Sequence, residues 1–168
     1  VQAALGALVA ADPNPNATLQ AIGQAVADTD GDAGDAGDGG WDPADVVPFS
    51  SARKWAAVRV PDHGTLFLGA PEMLLDGARG TTPLAAQTHA IVARAADAGQ
   101  RVLVVARSAE WNGEQLPDDL EPAGVVVLED TVRSDAHEIL QYFQEQGVTL
   151  KVISGDNPRT VSTVAGRA

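Results

Sequence analysis

Val46-Val47-Pro48-Phe49-Ser50-Ser51-Ala52-Arg53-Lys54-Trp55-Ala56-Ala57-Val58-Arg59-Val60-Pro61-Asp62-His63-Gly64-Thr65-Leu66-Phe67-Leu68-Gly69-Ala70-Pro71-Glu72 is the stretch that decides the fold. It reads as a strand meander over 46–69. Residues 46–49 form one strand candidate, 54–60 a second and 65–68 a third. In the second, Trp55, Ala57 and Arg59 alternate with Lys54, Ala56, Val58 and Val60, so its two faces differ. Pro61-Asp62-His63-Gly64 supplies the turn between the second and third strands. Pro71 then suits the first position of a short helix, and Glu72 is favourable in its first turn.

Upstream, residues 1–28 read as two helices, with Leu5, Leu8 and Val9 at helical spacing in the first. Asp12-Pro13-Asn14-Pro15-Asn16 breaks the pattern. Asn16 or Thr18 caps the second helix, whose stripe is Leu19, Ile22 and Val26. Residues 28–45 hold seven aspartates among glycines and almost nothing to bury. They read as a mobile acidic loop. Asp28, Asp30 and Asp32 have the spacing of a calcium loop. Ala33 and Gly39 stand where that loop needs glycine and glutamate, so a solvated loop is the preferred reading.

Downstream, Thr82 caps a long helix, Pro83 starts it and Gly99 ends it. Leu84, Ile91, Val92 and Ala95 are expected to face inward. Residues 101–106 read as a buried strand and 111–121 as a polar loop. Then the pattern changes. Residues 125–128 form a continuous apolar run. A helix follows from Ser134 to Gly147, with Ile139, Leu140 and Phe143 inward. A second apolar run, 148–153, ends in Ser154-Gly155-Asp156, and Asn157-Pro158 opens another helix. This order predicts a right-handed crossover between parallel strands, with ligands beyond the strands' carboxyl ends. The expected fold is therefore α/β (α+β). An antiparallel sheet flanked by helices (1–123) precedes a βαβ piece of a parallel unit (124–168).

The 168 residues suffice for one good core, or one core and a small second unit. Net charge is −12, which argues against a nucleic-acid or anionic-membrane surface, because those partners need a cationic face. There is no cysteine, which removes disulfides, thiolate metal sites and cysteine nucleophiles. No run approaches the roughly 18–20 apolar residues of a membrane span, and no signal-peptide pattern is present. The chain begins at Val1 and stops within a small-residue helical pattern, so it is read as a piece of something longer.

Few residues carry chemistry. Phe49, after a proline at a strand, is ordinarily core, yet it can also serve as a stacking platform for adenine. Arg53 and Lys54 are either a solvated strand start or phosphate partners, with Lys54 as a compact point charge. Arg101 is either a cation near a helix end or a second phosphate contact. Gly69 and Ala70 form a small-residue turn. Ser154-Gly155-Asp156 is either an ordinary capped turn or a place for a phosphoryl group, with a hydroxyl, a glycine and a helix N-terminus together. His63, His89 and His137 share no metal spacing. Glu110, Glu114, Asp118 and Asp119 read as a solvated loop. No Gly-x-x-x-x-Gly-Lys loop, Gly-x-Ser-x-Gly elbow or Cys/His cluster is present.

Several of these runs, in this order, resemble the cation-transporting P-type ATPases. Residues 48–54 resemble the nucleotide-domain segment with the adenine-stacking phenylalanine and a phosphate-proximal lysine. Residues 68–72 resemble its Lys-Gly-Ala-Pro-Glu motif. Gly99 to Leu103 is similar to the segment whose arginine reaches the ATP phosphates. Asp130-Thr131-Val132-Arg133 is similar to the Asp-Pro-Pro-Arg hinge. Ser154-Gly155-Asp156 resembles the Thr-Gly-Asp motif of the haloacid-dehalogenase-like phosphorylation domain.

The resemblance covers about 46–168 and implies an ATP-binding domain with the start of the phosphorylation domain. Phe49, Arg53, Lys54, Gly69, Ala70 and Arg101 would hold ATP, and Asp130 and Arg133 would mark the hinge. Ser154, Gly155 and Asp156 would form the phosphoryl-site loop. Magnesium would accompany ATP with its ligands largely elsewhere. The partners implied are the phosphorylation, actuator and membrane domains of the pump, at the cytoplasmic face, with calcium as the ion. No nucleic acid is implied, and no membrane contact by the chain itself.

The departures from the pattern have consequences. Leu68 stands where the family has lysine, which removes a charged contact typically worth about 1.5–3 kcal/mol. Neither the phosphorylated Asp-Lys-Thr-Gly-Thr nor Gly-Asp-Gly-x-Asn-Asp is present, so the chain alone is expected to bind ATP without turning it over. A haloacid-dehalogenase-like phosphatase explains the parallel unit but lacks an Asp-x-Asp-x-Thr strand. A non-enzymatic binding module is the third reading.

Overall fold

A computed structural model describes residues 1–30, 41–113, 115–129, 134–154 and 158–166. Its centre is a five-stranded antiparallel sheet in the order β1-β2-β3-β4-β5, every strand paired with its sequence neighbour. The strands are β1 (Asp45–Ser50), β2 (Trp55–Val60), β3 (Gly64–Gly69), β4 (Arg101–Ser108) and β5 (Glu121–Leu128). The predicted meander is thus present, with the turn where the proline–glycine run placed it. Asp62 and Gly64 both take positive φ there, 64° and 78°.

Helices cover both faces of the sheet. On one face α1 (Gln2–Ala10) and α2 (Ala17–Asp30) bury Leu5, Leu8, Leu19 and Ile22 against Val58, Val60, Leu66, Leu68 and Val105. Asn16 is the α2 cap, its Oδ1 accepting from Leu19 N–H at 3.0 Å. On the other face α3 (Pro71–Leu74), a 3-10 turn (Gly77–Thr81) and α4 (Pro83–Asp97) lie between β3 and β4 in sequence. Leu74, Leu75 and Ala85 pack there against Trp55, Ala57, Phe67, Val104 and Ala106. Covered on both sides, β2 is buried at five of its six positions, so its alternation marks two different cores rather than a core and a wet face.

Several expectations are corrected. Helix α2 runs to Asp30, so Asp28 is helical rather than part of a loop. Residues 31–40 of the acidic run lie outside the described residues. Trp41 stacks on His63 at 4.1 Å between ring centroids, so the far end of that run is anchored. In α4 the buried residues are Ala85, Thr88 and Ala95, while Leu84 and Ile91 are exposed. Close approach of a helix to a sheet favours small side chains at the contact.

The parallel crossover is absent from the described residues. Val125 to Leu128 belong to β5, which pairs antiparallel with β4 from Arg101↔Leu128 onward and runs through residue 123. A continuous apolar run signals a buried strand without giving its direction. Residues 148–153 form no strand, and Ile153 is 95% exposed. Helix α5 (Ala136–Glu145) buries no residue, and Ile139 and Phe143 are exposed. Helix α6 (Pro158–Ala165) packs on α4.

Candidate nucleotide site

Meander topology gathers the chemistry. In an antiparallel meander the ends of odd strands and the starts of even strands share one edge. That edge holds Phe49 and Ser50 at the end of β1, Lys54 just before β2, Gly69 and Ala70 at the end of β3, and Arg101 opening β4. Two runs twenty residues apart in sequence therefore meet. Trp55 is the register partner of Gly69, and Ala70 N–H donates to Lys54 O at 3.0 Å. Val104 pairs with Gly69, so Arg101 lies three residues further out, about 10 Å along the strand.

Each residue has a local reason for its place. The register shifts between Val47 and Ser50, which carries Phe49 in an irregular strand end. Phe49 is 42% exposed, so the ordinary core reading of that phenylalanine does not hold. Lys54 closes the β1–β2 turn, its N–H donating to Ser50 O at 2.7 Å. It does so at φ +60°, a left-handed conformation costly for a residue with a side chain. Gly69 is glycine for packing. A Cβ there would lie 2.6 Å from Trp55 Cβ and 2.8 Å from Lys54 O.

The cations differ in how far they are committed. Arg53 clasps its own turn, donating from Nη2 to Pro48 O at 2.7 Å, with its guanidinium 5.3 Å from the Trp55 ring centre. Arg101 is half-buried at the start of β4. Lys54 Nζ reaches outward to Glu72 Oε1 at 3.2 Å, with the two side chains 50% and 61% exposed. Beneath this edge Trp55, Phe67 and Trp111 pack edge to face at 5.3 to 6.0 Å.

Leu68 has a different role from the one its motif position implies. It is only 4% exposed and belongs to the α1–α2 core. A lysine here would carry its charge into apolar surroundings.

Sequence reading missed two features near or below this edge and a third at the far end of β4. Neither the helix-dipole reading of Glu72 nor its place in the 68–72 run indicates its contact with Lys54. Trp111 carried no signal, since its contacts depend on the fold. Of the loop acids, Asp119 accepts from the buried Ser108 hydroxyl at 2.8 Å, Glu110 and Asp118 are exposed with Asp118 3.7 Å from Arg79, and Glu114 lies outside the described residues. Ser154 is exposed at the end of the 148–153 segment. Gly155, Asp156, Asp130 and Arg133 lie outside the described residues. Among the described residues, no group of three or more His, Asp and Glu side chains is placed to hold a metal ion, and no helix is long and apolar enough to cross a membrane.

A five-stranded antiparallel meander with helices on both faces is compatible with the nucleotide-binding domain of the transport ATPases. Sequence comparison matches the chain to a fragment of the cation-transporting P-type ATPases. It is 43% identical over 164 residues to the calcium-transporting ATPase CtpE of Mycobacterium tuberculosis. It is 37% identical to the CtpE of Mycolicibacterium smegmatis, and 41% identical over 160 residues to the probable cation-transporting ATPase exp7 of Streptococcus pneumoniae. Those matches cover 94–97% of this chain and 18–19% of each relative's length. No protein-family profile matches the chain.

Proposed function

We propose that this chain is the ATP-binding unit of a cation-transporting P-type pump, acting at the cytoplasmic face of a membrane. The observation that carries it is the meeting at one sheet edge of exposed Phe49, Lys54 and the Gly69-Ala70 turn. Adenine stacks on the Phe49 ring; such base–aromatic contacts are worth about 1–3 kcal/mol. Lys54 offers a rotatable ammonium to the phosphates, and Arg101 on the same edge supplies a second charge. Arg53 fixes the turn that presents Lys54. Ala70 N–H is already used by Lys54 O, so the Gly69-Ala70 contribution is shape rather than a phosphate hydrogen bond.

Magnesium is read as entering with ATP as the counter-ion of its phosphates; among the described residues no cluster of three or more His, Asp and Glu side chains is placed to hold a metal ion. In the whole pump the bound nucleotide is presented to an aspartate that is not in this sequence. Residues 134–166 are the start of the phosphorylation domain, with Ser154-Gly155-Asp156 as its phosphoryl-site loop and Asp130 to Arg133 as the hinge. The exposed apolar side chains of α5 and of 148–153 support this, because they await further packing. The phosphorylation, actuator and membrane domains are then the partners, and the CtpE relatives point to calcium as the ion.

Calorimetric titration of the chain with ATP tests the assignment. Saturable binding that falls at least tenfold in Phe49→Ala is the expected result. Heat that does not saturate at millimolar ATP contradicts it.

A further inference from the structure

Lys54 is the group on this edge best placed to meet an incoming phosphate, and it is already occupied by Glu72. The carboxylate belongs to the first turn of α3, set by Pro71 and by the β3 end that Trp55 fixes. Lys54 is held in turn by its left-handed backbone and by hydrogen bonds from its N–H to Ser50 O and to its carbonyl from Ala70 N–H. Both partners are therefore anchored to the same pair of strands. The backbones thus hold the two side chains within reach of each other, and Nζ and Oε1 lie 3.2 Å apart.

We propose that Glu72 is an internal competitor for the phosphate chain, a resident anion that an incoming phosphate group must displace from Lys54. This rests on the reading of the edge as a nucleotide site. A carboxylate and a phosphate oxygen seek the same ammonium, and an ammonium has three donors but one charge. Two anions crowded on it repel each other. Glu72 thereby lowers phosphate affinity while keeping Lys54 aligned in the empty state. Both side chains are half exposed, so the contact is weak enough to exchange. Exposed pairs of this kind are weak, which limits the effect to a few-fold in affinity.

The test is a double-mutant cycle read by ATP titration of the full chain. Glu72→Gln keeps the shape and removes the charge, and binds ATP about two- to five-fold more tightly than wild type. Lys54→Met weakens ATP binding, and adding Glu72→Gln to it brings back no more than a small, salt-sensitive part of the gain. AMP, with a shorter phosphate chain, gains less from Glu72→Gln than ATP does. Unchanged amide spectra outside the edge establish that each variant is folded. If ATP binds and Phe49→Ala abolishes it, but Glu72→Gln leaves the affinity unchanged or weaker, the competitor role is overturned and the site stands. An equal gain in the Lys54→Met background also overturns it. If folded wild type shows no saturable ATP binding, the site itself is overturned and the competitor role with it.

Discussion

At the level of single residues, Lys54 takes a backbone conformation that favours glycine, and Leu68 is buried at a position where the motif carries a cation. Lys54 occupies a turn position at φ +60° that glycine fills at lower cost. Strain of this kind persists where surrounding structure fixes it, and it points toward a side chain kept for use. Lys54→Gly should leave stability unchanged or raise it by about 1 kcal/mol in denaturant melts, while weakening ATP binding. A clear loss of stability would show that the lysine is there for the turn. Leu68 stands at a motif position expected to be cationic, yet it packs against α1 and α2. Leu68→Lys should therefore cost about 2–4 kcal/mol of stability, measured by denaturant midpoint, rather than restore a phosphate contact. Spacing alone shows that a motif member differs; only the fold shows which way that position faces.

At the level of elements, punctuation was legible and direction was not. Thr82 before Pro83 announced α4, and the Thr82 hydroxyl accepts from Ala85 N–H at 3.1 Å. Thr82→Ala should lower stability by about 1 kcal/mol through loss of that cap, visible as a lower melting temperature. Gly99 closes the same helix at φ +76°, and a Cβ there would fall 2.6 Å from Thr163 Cγ2 of α6. The glycine therefore serves both the turn and the α4–α6 contact. The run at 125–128 was legible as a buried strand, but apolar continuity is shared by parallel and antiparallel strands, and its pairing with β4 decided the matter. The inward face of α4 was half legible. Of the expected residues Ala95 is buried and Val92 packs on the core, whereas Leu84 and Ile91 are exposed and Ala85 and Thr88 are buried in their stead.

At the level of the whole molecule, the sheet edge is the unit of function proposed here. A meander brings Phe49, Lys54, Gly69 and Arg101 to one side although they span more than fifty positions. The motif runs in sequence thus fall at positions that the meander sets along one edge. They could not anticipate that Arg53 would be consumed by its own turn or that Glu72 would cover Lys54, since both depend on side-chain geometry. The most direct test of the central claim is an amide-shift titration of the isotopically labelled chain with ATP. Saturable shifts should concentrate at Phe49, Lys54, Gly69 and Arg101 and vanish in Phe49→Ala. Saturating ATP that leaves those amides unmoved, or moves them equally in Phe49→Ala, would contradict the account.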